Sequence, residues 1–143
     1  DWLGNASARV ILPITDPYVV HHGALGSFAT AYLPKEVNTK EIVNRLAAID
    51  GIMLVLNRDE AVKRFQLPAD RIGDIILISS ENVTIGTSMD RHDLAALDEP
   101  LRSHGGLTEQ EVPFIANRRM DLPTAPQLRN FDAFYYAAIA ANT

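Results

Sequence analysis

The chain carries short apolar runs cut by proline, glycine and polar pairs, and that punctuation predicts its elements. Val10-Ile11-Leu12, stopped by Pro13, predicts a short strand. Residues 27–33 alternate and carry aromatics, which predicts a second strand ended by Pro34. Residues 19–21 are expected to pair with it as a hairpin across the turn between Gly23 and Gly26. Ile42, Val43, Leu46, Ala47 and Ile49 recur at helical spacing, with Asn38 or Thr39 as cap and Gly51 as stop. Ile52-Met53-Leu54-Val55-Leu56 reads as a strand, and Asn57 caps a short helix over residues 58–65. Ile75-Ile76-Leu77-Ile78, bounded by Gly73-Asp74 and Ser79-Ser80, reads as a buried strand, and Glu81-Asn82 turns into a further strand over Val83-Thr84-Ile85-Gly86.

From Thr87 to Gly106 the periodicity collapses. About twenty residues without an element are uncommon inside a compact domain and usually functional, and Leu94, Leu97 and Leu101 argue that this stretch is pinned down. Thr108-Glu109-Gln110-Glu111 resembles a capping box, though Pro113 leaves room for barely a turn. Residues 112–116 predict one more strand. Residues 127–141 predict a docking helix with Leu128, Phe131, Tyr135 and Ile139 on one face. The resulting order, β-β-α-β-α-β-β, loop, β, α, is a mixed α/β chain with an expected break near residues 67–73.

Composition narrows the function classes. A length of 143 residues suits one domain, or one and a piece of another, and 47% hydrophobic with 22% charged residues is a globular balance. The net charge, 13 − 18 = −5, argues against binding nucleic acid through phosphate neutralisation. Arginine outnumbers lysine, and its planar fork suits an anionic small molecule. Cysteine is absent, which removes disulfides, thiolate zinc sites and cysteine nucleophiles. No apolar run approaches the roughly 18 residues of a membrane span. No signal-peptide pattern is read at the start, and Asn5-Ala6-Ser7 fits a glycosylation triplet of a kind that arises often by chance. The chain opens on Asp1-Trp2-Leu3-Gly4 without an initiator Met, as expected of a segment cut from something longer.

Four histidines are the candidates for chemistry. His104 closes the aperiodic loop in Arg102-Ser103-His104-Gly105-Gly106, where two glycines permit a sharp turn and leave the imidazole presented. That placement suits a metal ligand or an acid–base group; the alternative is a loop histidine bonded locally. His21 and His22 are adjacent, so on an extended strand they point to opposite faces and do not share one metal. One of them facing a cleft is set against both lying at the surface. His92, in Asp90-Arg91-His92-Asp93, reads as structural, and Asp16 before Pro17 as an Asx-turn former with a ligand role as the alternative. The common signatures GxGxxG, P-loop, GxSxG and HExxH are missing. A catalytic zinc needs three protein ligands and an open position, and no local spacing here supplies three.

A longer pattern is more specific. Phe65-Gln66-Leu67-Pro68-Ala69-Asp70-Arg71-Ile72-Gly73-Asp74, then Ile76 onward, then His92-Asp93-Leu94, then Leu101-Arg102-Ser103-His104-Gly105-Gly106-Leu107-Thr108-Glu109, then Val112-Pro113-Phe114-Ile115 resembles, in order, the C-terminal part of the phosphonoacetate hydrolase family. Pro13-Ile14-Thr15-Asp16-Pro17-Tyr18-Val19-Val20-His21-His22-Gly23-Ala24-Leu25-Gly26 resembles it as well, so the likeness runs from about residue 9 to residue 119. The family belongs to the alkaline-phosphatase superfamily, with the nucleotide pyrophosphatases/phosphodiesterases.

The resemblance implies a cytoplasmic two-zinc hydrolase that cleaves the C–P bond of phosphonoacetate to acetate and phosphate, by attack of a threonine on phosphorus between two metals. It implies an alkaline-phosphatase-like α/β core plus a small α+β cap-like unit. Residues 1–13 would be a core strand or linker, 14–70 the cap-like unit over the active site, and 71–143 the C-terminal part of the catalytic core. One family metal ligand maps onto this chain, at His104. The nucleophilic threonine is expected upstream, and Thr15 is not that residue. His21 and His22 fall on the substrate side of the cap, with Asp16 beside them. A zinc-bound imidazole needs an acceptor for its second nitrogen, for which Asp93 or Asp98 is nearest in sequence.

The expected partners are a small anionic phosphonate and a second copy of the chain as a homodimer, with no nucleic acid and no membrane. Alone, the chain is expected to be inactive. Two alternatives remain: a phosphodiesterase or pyrophosphatase of the same superfamily, and a non-catalytic ligand-binding or dimerisation module, in which His104→Ala would change nothing.

Overall fold

The computed structural model describes residues 7–12, 25–88, 91–92, 104–122 and 128–141. Compactness divides the chain into residues 1–111 and residues 112–143.

The first unit is a four-stranded, wholly antiparallel sheet in the order β1-β2-β4-β3, with β1 Arg9–Ile11, β2 Phe28–Tyr32, β3 Ile52–Asn57 and β4 Ile75–Ser79. Helices α1 (Thr39–Ala47) and α2 (Arg58–Phe65) complete a mixed α/β unit. The boundary expected at residues 70 and 71 falls inside this sheet. β4 lies between β2 and β3, so the two stretches share one core, and the division comes after Glu111.

Each element has a local cause. Asn38 Oδ1 accepts from the N–H groups of Lys40 and Glu41 and starts α1. Asn57 and Glu60 exchange bonds at 3.0 Å each way, a complete capping box that starts α2. Gly51 (φ 84°) turns the chain from α1 into β3.

β4 is buried on both faces because a helix covers each. Ile76 and Ile78 pack with Ala61 and Ile72 under α2, joined by Phe28, Leu54, Leu56, Phe65 and Leu107. Ile75 packs with Ile42 and Val55 under α1, joined by Leu46, Ile52 and Leu77. A bulge between Ile52 and Leu54 opposes two steps of β3 to one of β4, which puts Ile52 on the α1 face with Val55.

Polar ties close the far end of the sheet. Asp74 Oδ2 accepts the Leu33 N–H at 2.8 Å, and Oδ1 pairs with Arg58 Nη2 at 2.9 Å. Thr30 Oγ1 accepts the Gly73 N–H at 2.8 Å, and a Cβ on Gly73 would lie 2.5 Å from the Ala31 carbonyl oxygen.

In the second unit, α3 (Asp132–Ala141) is the described element. It begins later than the expected residue 127; Asp132 Oδ2 accepts the Arg129 N–H at 2.8 Å just ahead of it. The face expected to dock is exposed within its own unit, with Phe131 at 50% and Tyr135 at 64%. A unit below roughly 40 residues has too little apolar material to bury a helix face by itself. The strand expected over residues 112–116 is not formed: these residues are exposed and irregular, and Pro113 has no N–H to give a ladder. Among the described residues no helix is long and apolar enough to cross a membrane.

Candidate functional site

One end of the sheet gathers both ends of the long loop. Gly26, just before β2, bridges Ile85, each N–H bonding the other's carbonyl. Ser27, the next residue, donates its N–H to the carbonyl of His104 at 2.8 Å and accepts from the Ser79 N–H at 3.0 Å. The chain thus leaves the sheet near Thr87 and returns at His104, with both ends fixed on consecutive residues. Residues 89–90 and 93–103 lie outside the described residues, and Asp93 and Asp98 with them.

The turn after His104 is over-determined. Gly105 takes φ 82°, the left-handed region that glycine enters without cost. Gly106 is buried, and a Cβ on it would stand 3.2 Å from the Ser27 Cβ. Its N–H donates to Glu109 Oε2 at 2.9 Å, while the Glu109 N–H returns to the Gly106 carbonyl at 3.3 Å. The expected capping box over 108–111 is therefore not the contact formed: the Glu109 side chain caps the Gly106 N–H, and glycine has no side chain to return a second bond. Leu107 then packs into the α2-side core with Phe28. The His104 side chain itself is exposed, and no hydrogen bond engages its imidazole among the described residues. A fixed backbone thus presents a ring that the rest of the described chain does not use.

His92 is the opposite case. It is 8% exposed, and its Nε2 accepts the Thr87 N–H at 3.0 Å with the Thr87 hydroxyl 3.1 Å away. An Nε2 that accepts from a backbone N–H leaves the ring proton on Nδ1, so this is a neutral histidine holding the loop's first turn. A Cβ on Gly86 would lie 2.8 Å from the same Nε2 and 2.9 Å from Cδ2, so this edge of the ring packs against Gly86. The structural reading of His92 is the one this geometry supports.

Asp16, His21 and His22 lie outside the described residues. Among the described residues no group of three or more His, Cys, Asp or Glu could hold a metal ion. One imidazole is not a zinc site, so the described donor set does not by itself fit the metal. Sequence reading missed Ser27, Leu107 and the Gly106–Glu109 bond, which together hold the turn. The Gly-x-x-Glu spacing signals the last; nothing local signals Ser27, whose partner is far along the chain.

Two crystal structures of phosphonoacetate hydrolase from Sinorhizobium meliloti 1021, one in complex with phosphonoacetate and one with phosphonoformate, match 98% of this chain at 73% identity, with TM-scores of 0.79 and 0.80. The resemblance is to phosphonoacetate hydrolase. A phosphonoacetate hydrolase from Penicillium oxalicum is 60% identical over 30 residues, 20% of this chain and 42% of that relative. This chain spans 34% of each Sinorhizobium meliloti phosphonoacetate hydrolase chain, about a third of its length. No protein-family model matches the sequence.

Proposed function

We propose that this chain is the C-terminal part of a phosphonoacetate hydrolase and that His104 is its contribution to a two-zinc active site. The observation that carries the reading is the His104 turn: a pinned backbone with an exposed imidazole that no hydrogen bond engages among the described residues, in a chain 73% identical to an enzyme crystallised with phosphonoacetate. A neutral imidazole donates a lone pair to zinc, and the remaining ligands and the nucleophilic threonine would lie in the two thirds of such a hydrolase that this chain does not span. The alkaline-phosphatase-like core and the cap-like role of the early residues, with His21 and His22 on the substrate side, belong to the same reading. So do a homodimeric state and a cytoplasmic location, which rest on the family expectation alone.

The reaction balances as hydrolysis. The C–P bond breaks, water supplies the oxygen that completes phosphate, and the methylene carbon takes the proton that makes acetate.

The test is phosphate release from phosphonoacetate by the full-length hydrolase carrying this sequence, with and without chelator, beside its His104→Ala variant. Zinc-dependent release that the variant loses is the expected result. Cleavage of a phosphodiester with phosphonoacetate untouched would move the protein to the phosphodiesterase branch. No reaction on either substrate by folded, zinc-loaded protein would leave the non-catalytic module standing.

A further inference from the structure

The unit formed by residues 112–143 leaves its large apolar side chains in water. Val112 is 74% exposed, Ile115 87% and Phe134 80%, and Phe114, Phe131 and Tyr135 are exposed with them. Single apolar residues scattered over a surface are ordinary, but this many in one small unit make a patch of the kind that marks a contact. The placement of the side chains says how many sides that contact has. From Ala133 to Ala141, α3 carries no charged side chain, and a helix apolar around its whole circumference belongs inside a larger body. Ala133 and Ala137 line an open groove of about 500 Å³ with Phe114, Ile115 and Met120, and none of Phe131, Phe134 and Tyr135 lines it. Tyr135 stands about 200° round the helix from both alanines, so α3 has apolar surface to cover on two opposite sides.

We propose that α3 and the stretch over residues 114–120 form an inner layer of the full-length hydrolase, covered on both sides by the two thirds of such a chain that this sequence does not span. This rests on the reading above that the chain is the C-terminal part of a longer enzyme. The Sinorhizobium meliloti hydrolases match 98% of this chain within 34% of their own, which leaves ample chain to enclose a helix. A second copy suits the pattern less well. A two-fold contact brings one patch of each copy together and would leave the opposite side of α3 in water. The first unit uses its apolar faces on itself, with α1 and α2 covering the two faces of β4. An inserted apolar side chain from the upstream chain fits the groove, whose floor of alanines offers shape and no polar partner.

The experiment uses the full-length hydrolase carrying this sequence. Amide exchange within α3 of the parent protein should run about 10³-fold or more below the unstructured-chain rate, as in an enclosed element. A helix of 10 residues without cover frays and exchanges near that rate, which would overturn the proposal. A photoreactive benzophenone amino acid in place of Phe134, and separately of Ile115, then reports what lies against each position. The expected links, mapped by mass spectrometry, go to residues outside the 143 of this sequence, in a product with the mass of one chain. A product of twice that mass would give the surface to a second copy, and links to residues 1–111 would give it to the first unit. Either result overturns the proposal, as does a failure to link at both positions. Phosphonoacetate turnover by the same parent protein keeps the two readings apart. Turnover with links elsewhere removes the packing alone, and the expected links without turnover support the packing and remove the hydrolase reading.

Discussion

Ser27 donates its backbone N–H to the carbonyl of His104 at 2.8 Å while its own carbonyl accepts from Ser79 at 3.0 Å. The candidate ligand is thereby tied through one residue to β4, whose Ile75, Ile76 and Ile78 are at most 1% exposed. Opening the His104 carbonyl contact means opening the start of β2, so the position of the turn shares the stability of the sheet.

The two described histidines should separate cleanly on substitution. His92→Ala removes the acceptor of the Thr87 N–H and leaves a hole against Gly86, so it should destabilise by about 1–3 kcal/mol. His104→Ala alters an exposed ring without hydrogen-bond partners among the described residues and should move the unfolding midpoint hardly at all, within about 0.5 kcal/mol. Denaturant unfolding of the zinc-free full-length protein checks both; a large loss for His104→Ala would give that residue a structural role instead.

Gly73→Ala should be among the most damaging single methyl additions in the chain. The new Cβ would meet Thr30 Oγ1 at 2.4 Å and the Ala31 carbonyl oxygen at 2.5 Å, and the second contact is backbone that cannot step aside. The strain, with loss of the Gly73–Thr30 bond, should reach about 3 kcal/mol, read as a lowered denaturant midpoint with unchanged slope.

Ile76→Ala should cost about 2–5 kcal/mol. Ile76 is fully buried beneath α2, and a truncated side chain there loses its burial and leaves a cavity the two-sided packing of β4 cannot collapse. A cost below about 1 kcal/mol would mean that the α2 face repacks.

Asn57→Ala should cost about 1 kcal/mol, because it removes the Oδ1 that accepts from the Glu60 N–H while α2 remains packed through Ala61. Asn57→Asp, which keeps an acceptor at the helix N-terminus, should stay close to the parent when both variants are compared by denaturant unfolding.

Much of this chain is written in local chemistry. The apolar run of β4, the Asn38 and Asn57 caps, the helical spacing from Ile42 to Leu46 and the stop at Gly51 each act over a few residues, so the sequence by itself determined those elements and the strand burial between them. It also marked His104 as the histidine to follow, since two glycines behind an imidazole have a meaning at short range. What tertiary structure decided is whatever depends on pairing. β4 enters between β2 and β3 because its two apolar faces each need a layer, so residues on either side of the expected boundary at 70 and 71 share one sheet. The strand expected near Val112 is not formed, since a strand exists only with a partner and Pro113 cannot feed one. The Ser27–His104 contact was invisible for the same reason: a backbone N–H carries no residue identity, so nothing in the letters says which distant carbonyl it will meet.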